Sequence, residues 1–231
     1  MPDLIPPPLS LYVHLPWCVR KCPYCDFNSH GARGGLPFDE YVAALVRDLE
    51  HDLPLVWGRT VHSVFFGGGT PSLFPAAAIE AILSAAAARL RFAPDAEITL
   101  EANPGTAEHD RFEGYRAAGV NRISFGIQSF DDGCLQRLGR IHDSAEAEID
   151  TLLAQAEAAV KLAQDAGFDN LNLDLMYALP GQDLAMAERD LERAFALQPA
   201  HISHYQLTLE PNTVFHVRPP EGLPDEDLAW D

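Results

Sequence analysis

Basic residues are scarce in this chain: 16 Lys and Arg stand against 34 Asp and Glu, a formal net charge of -18 over 231 residues. Proteins that track nucleic-acid phosphates do so with clustered cations, so no nucleic-acid partner is expected. Long apolar runs are missing as well. The stretch from Ala76 to Leu90 is broken by Glu80, Ser84 and Arg89, short of the ~20 apolar residues that a membrane span requires. The start, Met1-Pro2-Asp3-Leu4-Ile5-Pro6-Pro7-Pro8, has neither the basic opening nor the apolar run of a secretory signal. Residues 1–8 read instead as an extended lead-in. Cysteines number four, too few for a disulfide scaffold, and three of them crowd into one short segment. That clustering points to a metal or cluster site in a reducing compartment, and hence to a cytoplasmic protein.

What the chain does have is an ordinary core-forming composition, 47% hydrophobic and 22% charged, and an alternation of strand and helix signals. Strands are expected at Leu9–Leu15, Val61–Phe66, Glu97–Ala102, Arg122–Ile127, Asn170–Tyr177 and His201–Leu207. Helices are expected between them, near Phe38–Asp52, Pro75–Arg91, Ala107–Ala118, Asp131–Leu138, Ser144–Ala166 and Asp183–Leu197. Asp131 and Ser144 suit N-caps, and Gly119, Gly167 and Pro199 suit helix stops. Repeated βα units predict an α/β fold with a parallel sheet, either doubly wound or a barrel. The helix over Ser144–Ala166 is long for its place, and its extra length carries no assigned role. Residues 217–231 read as a linker into a domain that this chain does not include.

In such folds the chemistry gathers at the carboxyl ends of the strands. After the first strand comes Cys18-Val19-Arg20-Lys21-Cys22-Pro23-Tyr24-Cys25. Three thiolates in a CxxxCxxC spacing can wrap one soft metal ion or an iron–sulfur cluster. Structural zinc is the alternative, and it would need a fourth ligand from His14, His30 or Cys134. Cys134 itself reads as a small core residue on a helix.

After the second strand, Phe65-Phe66-Gly67-Gly68-Gly69-Thr70-Pro71-Ser72 lets backbone approach a ligand closely, or makes a tight strand-to-helix turn. Glu101, Gln128 and Asp174 end the third, fourth and fifth strands. There they can grip an ammonium or ribose hydroxyls. Each can equally cap a helix or pair with Arg122 or Arg140.

In this order, the motifs resemble the radical S-adenosylmethionine enzymes. Within them the likeness is to the oxygen-independent coproporphyrinogen oxidase family, nearest its haem-chaperone branch. It runs almost continuously from Leu9 to Thr213 through Leu11-Tyr12-Val13-His14-Leu15-Pro16-Trp17-Cys18, Gly67-Gly68-Gly69-Thr70-Pro71-Ser72, Gly126-Ile127-Gln128-Ser129-Phe130, Gly139-Arg140-Ile141-His142 and Asp174-Leu175-Met176-Tyr177-Ala178-Leu179-Pro180-Gly181.

The resemblance implies a partial (β/α)6 barrel over residues 9–216. It also implies a [4Fe–4S] cluster on Cys18, Cys22 and Cys25, with one iron left open to S-adenosylmethionine. Tyr12 would lie beside that cofactor and Tyr24 would shield the cluster. Gly68, Gly69, Thr70 and Glu101 would meet its methionine end, and Gln128, Arg140 and Asp174 would complete the site, for one cofactor molecule or two. Haem or another tetrapyrrole is the implied cargo or substrate. Haem binding is expected only with the family's C-terminal region and its His-Asn-x-x-Tyr-Trp motif, which lie outside this chain.

The branch turns on Cys25-Asp26-Phe27-Asn28-Ser29: the oxidases carry a fourth cysteine where Phe27 stands. Three functions follow, in order: a cluster-bearing haem chaperone, a radical coproporphyrinogen oxidase, and a zinc-bound structural domain. His201 and His204 lie three apart on a strand, so they face opposite ways and do not act as a pair of haem ligands. His14 and His142 are expected to support the site from behind.

Overall fold

The computed structural model describes residues 6–32, 34–104, 111–140 and 152–230. Six parallel strands form its sheet: β1 (Leu9–Leu15), β4 (Thr60–Gly68), β5 (Arg91–Ala102), β6 (Arg122–Gln128), β7 (Leu171–Tyr177) and β8 (His201–Gln206). They lie side by side in chain order. The missing numbers belong to a small parallel pair, β2 (Trp17–Cys18) and β3 (His30–Gly31), that brackets the cysteine loop. Winding that always steps in one direction keeps the crossover helices on one face and curls the sheet. Because β1 and β8 are the two ends of the order and do not pair with each other, the result is a partial α/β barrel, as expected.

The helices are α1 (Phe38–Val56), α2 (Ala76–Ala87), α3 (Phe112–Ala117), α4 (Asp132–Arg137), α5 (Leu152–Asp165), α6 (Leu184–Ala196), α7 (Val214–Val217) and α8 (Glu226–Trp230). Asp131 caps α4 by accepting from the Cys134 amide at 2.8 Å. Asp183 caps α6 in the same way through Met186, also at 2.8 Å. Gly119 and Gly167 take φ of +104° and +87° just past α3 and α5, the left-handed stop that glycine adopts freely. The expected cap at Ser144, the start of the 144–166 helix and His142 lie outside the described residues. α8 puts a short helical turn within residues 217–231, where the sequence suggested linker. No helix among the described residues is long and apolar enough to cross a membrane.

Strand alternation decides which side chains reach the site. Val64, Phe66, Leu100, Ile123, Phe125, Leu171 and Leu173 point to the helices and join one core with Ile79 and Ile82 of α2, Phe112 and Tyr115 of α3, and Val160 of α5. Truncating a fully buried Phe such as Phe125 to Ala should cost about 3–5 kcal/mol. The alternate positions, Glu101 on β5, Ser124 and Gly126 on β6, and Asp174 and Met176 on β7, face a concave interior instead. Apolar outside and polar inside is the arrangement a barrel uses to house a ligand.

Candidate functional site at the carboxyl end of the barrel

That interior is a cavity of about 440 Å³, lined from the cysteine loop, the glycine-rich turn and the ends of β5 to β8. The loop is strapped to the turn by backbone bonds: the Gly69 amide donates to Leu15 O at 2.8 Å and the Thr70 amide to Trp17 O at 2.7 Å. The strap leaves no room for side chains. A Cβ on Gly69 would stand 2.5 Å from Trp17 O, and one on Gly68 would stand 2.5 Å from the His14 ring. Behind the turn, the buried Tyr115 hydroxyl donates toward Ser72 O and Phe74 O, each at 2.7 Å, which fixes the 3-10 turn Pro71–Leu73.

Cys18, Cys22 and Cys25 all line the cavity. Burial pushes the Cys18 thiol up, against hydrogen bonds from Ser29 and Thr70. Metal binding at such thiols displaces their protons. The proposed zinc donors do not join them. His14 is engaged by the Tyr12 hydroxyl at Nδ1 and by Asn28 O at Nε2. His30 is exposed. Cys134 sits in a separate buried cluster, with the Arg137 guanidinium donating to its sulfur at 3.5 Å. Among the described residues no three His, Cys, Asp or Glu side chains converge closely enough to hold a single metal ion. Three loop thiols set around a cavity suit a cubane cluster, which bonds each thiolate to a different iron.

Across the cavity the carboxylates gather. Glu101 Oε2 accepts from the Gly68 amide at 3.3 Å. Asp174 accepts from Ser124 Oγ and from Asn172 Nδ2, each at 2.8 Å. Burial, and then the charge of Asp174, raise the Glu101 carboxyl to about 7, against the bond from Gly68. Asp26 and Glu210 line the cavity as well, so among the described residues four carboxylates outnumber the cations there. The cations lining it are Arg20 and Arg140. Arg140 is spoken for in part: its guanidinium donates to Gly126 O and, at 2.8 Å, to Asn103 Oδ1. Burial works to lower its value, while Tyr24 and Cys22 beside it push it up; the guanidinium is charged throughout.

Of the residues expected in the site, Cys18, Cys22, Cys25, Tyr24, Gly68, Gly69, Thr70, Glu101, Gln128, Arg140 and Asp174 share this cavity. Tyr12 does not line it. Its ring stands on the edge strand β1, 56% exposed, packed along Phe65. Tyr24 lies against Phe215 of α7, and burial drives its phenol strongly upward. His14 ties β1 to the cysteine loop through Asn28 O. His204 turns away from the cavity and packs on the Tyr177 ring at 4.8 Å.

Sequence reasoning reaches Asn103 only as part of the strand-end segment Glu101–Asn103, with no role assigned, and passes over Tyr205. Asn103 joins Thr70 Oγ1, at 3.0 Å, to Arg140, and it stands only two residues past Glu101. Tyr205 reaches in from β8 to donate to Gln128 Oε1 at 2.6 Å. Only the register that pairs Met176 with Tyr205 reveals it.

The model of the radical SAM superfamily matches residues 12–194. The chain belongs to the radical SAM superfamily. It is 55% identical over 225 residues to the heme chaperone HemW of Escherichia coli, covering 97% of this chain and 57% of that protein. With HemW of Haemophilus influenzae the identity is 53% over 235 residues, covering 100% of this chain and 58% of the relative. The chain thus spans somewhat more than half the length of these relatives. Among solved structures it resembles the radical SAM coproporphyrinogen III oxidase (HemN) of Escherichia coli, with a TM-score of 0.81 and 31% identity over 96% of this chain and 50% of the other.

Proposed function

We propose that this chain is the cluster- and S-adenosylmethionine-binding part of a haem chaperone of the HemW kind. The observation that carries the reading is the pairing, in one cavity, of three loop thiols with four carboxylates, of which Glu101 and Asp174 stand at strand ends. A ligand with positive centres answers that charge deficit. S-adenosylmethionine offers a sulfonium and an ammonium, and its own carboxylate suits a guanidinium fork.

In this reading Cys18, Cys22 and Cys25 hold a [4Fe–4S] cluster. Such a cluster, bound and reduced, supplies one electron to the sulfonium, the chemistry shared by the superfamily. The protein's own residues bind and orient. Gly68 and Gly69 bring backbone close to the methionine end, with Thr70 at its side. Glu101, ionised, takes the ammonium, and Arg140 takes the carboxylate. Asp174 and Gln128 accept from the remaining hydroxyl and amino groups. Tyr24, buried beside Cys22, keeps water from the thiolates, and Tyr12 stands at the rim.

The haem half of the proposal rests on the likeness to HemW and on Phe27, which occupies the oxidases' fourth-cysteine position and is 57% exposed at the cavity. A second reading, radical oxidation of coproporphyrinogen, is favoured by the likeness to HemN. Electron paramagnetic resonance on anaerobically reconstituted, reduced protein should give a [4Fe–4S]+ signal whose shape changes with S-adenosylmethionine. Zinc without labile sulfide would overturn the cluster reading. In the full-length protein, haem binding without porphyrinogen decarboxylation is expected. Substrate-dependent release of carbon dioxide and 5'-deoxyadenosine would instead establish the oxidase.

A further inference from the structure

One buried carboxylate lies outside the cavity yet touches both turns that shape its far wall. Asp190, on α6, is 2% exposed. Its Oδ1 accepts from the Phe130 amide at 2.7 Å, and its Oδ2 accepts from Ser129 Oγ at 2.7 Å and from Gln182 Nε2 at 3.3 Å. Ser129 Oγ in turn accepts from the Asp131 amide at 3.0 Å. Gln182 passes the hold onward, accepting from the Leu179 amide at 3.1 Å through Oε1. Asp190 thus pins Ser129 and Phe130, which follow β6, directly, Asp131 through Ser129, and Leu179, just past β7, through Gln182.

Each of those turns contains a residue in an unfavourable backbone conformation. Gln128 has φ of +70° and Ala178 has φ of +57°. Neither is glycine, so each holds the left-handed region against its own Cβ and persists only where its surroundings insist on it. For Gln128 the purpose is visible. The strand pairing slips between Gly126 and Gln128, and the side chain enters the cavity to accept from Tyr205. Burying a carboxylate is costly unless hydrogen bonds compensate it, and the three that Asp190 accepts come from these two turns.

We infer that Asp190 is a positioning residue for ligand binding: by clamping the two strained turns it sets Gln128, and through it Tyr205, in the cavity. The inference deepens the proposed function and takes S-adenosylmethionine as the ligand from that reading.

The test uses Asp190→Asn, Gln128→Ala and the double variant, each reconstituted with its cluster. In Asp190→Asn one donor now faces the Gln182 amide, so the clamp loosens while the volume is kept. Iron content and the reduced cluster signal should equal those of the unsubstituted protein. Affinity for S-adenosylmethionine should fall about tenfold, the worth of a misplaced hydrogen bond. Adding Asp190→Asn to Gln128→Ala should cost nothing more, because the clamp acts through that side chain. Amide exchange at Phe130 and Leu179, followed without ligand, should quicken in Asp190→Asn. Unchanged affinity, losses that simply add, or unchanged exchange would each overturn the inference. If the unsubstituted protein ignores S-adenosylmethionine, the proposed function fails and the ligand role of Asp190 falls with it; the exchange measurement still decides separately whether the clamp exists.

Discussion

On the β1–β4 side of the cavity, space is made by leaving side chains out. On the β6–β8 side, the space is filled by side chains that hold one another. At the first wall Gly68 and Gly69 lie where any Cβ would strike the His14 ring or the Trp17 and Pro16 backbone. At the second, Asp174, Ser124, Asn172 and Ser203 form one chain of hydrogen bonds, and Tyr205 grips Gln128. A wall of close backbone has no slack, so a single methyl should displace the cysteine loop outright. A wall of side chains has redundant partners, so single losses should weaken binding by degrees.

The largest effect is therefore expected at Gly69. Gly69→Ala should destabilise the protein by about 1–3 kcal/mol and sharply reduce iron incorporation, measured by metal analysis and thermal melting. Gly35→Ala is the matched control, because nothing lies within 4 Å of the Cβ it would add. Equal iron content in the two variants would break the contrast between the walls.

Asp174→Ala comes next and acts on the other wall. It removes the acceptor for Ser124 and Asn172 and one of the cavity's four carboxylates. Iron content should stay normal, while calorimetry should show S-adenosylmethionine binding weaker by roughly 10- to 100-fold, as for hydrogen bonds to a charged group. Loss of the cluster in this variant would mean that the two walls are not separable.

Glu101 lies between the walls, bonded to Gly68 and opposed by Asp174. Its carboxyl is raised from 4.5 to about 7. Between those values the folded protein keeps a proton that the unfolded chain has already released. Its contribution to stability therefore falls as pH rises across that window and levels off above it. Glu101→Gln should flatten that part of the pH–stability profile, read by denaturant unfolding. Asp174→Asn, which removes the like charge, should move the midpoint down. A profile unchanged by both would separate Glu101 from Asp174 electrically.

The two walls also differ in how much of them the sequence disclosed. Glycines and clustered cysteines announce themselves by type and spacing, so the first wall was readable residue by residue. So were the six strands, because short β-rich runs alternate with helical stretches along the chain. The ends of β4 and β5 ran past their expected limits, to Thr60 and Arg91, since pairing with neighbours extends a strand beyond its own β propensity. Tyr12 is exposed and does not line the cavity, because an edge strand has one flank uncovered. Asp190 and Tyr205 gave no local signal at all. Each matters through a partner more than fifty residues away, and register between parallel strands is a property of the assembled sheet.

Tyr205 supplies the smallest test and the finest one. Burial, then the charge of Asp174, raise its phenol to about 12, so it donates to Gln128 as a neutral hydroxyl at every working pH. Tyr205→Phe deletes one neutral bond and leaves the ring in place. Gln128 Oε1 loses that donor but keeps a cavity in which water can serve. The net cost should be about 0.5–1.5 kcal/mol, a weakening of S-adenosylmethionine binding of roughly two- to tenfold, with iron content and melting temperature nearly unchanged. Because the bond is the last link from Asp190 through Gln128, Tyr205→Phe should also blunt the effect of Asp190→Asn. An effect larger than that of Asp174→Ala would reverse the ranking within the second wall and make the aromatic ring its principal contact.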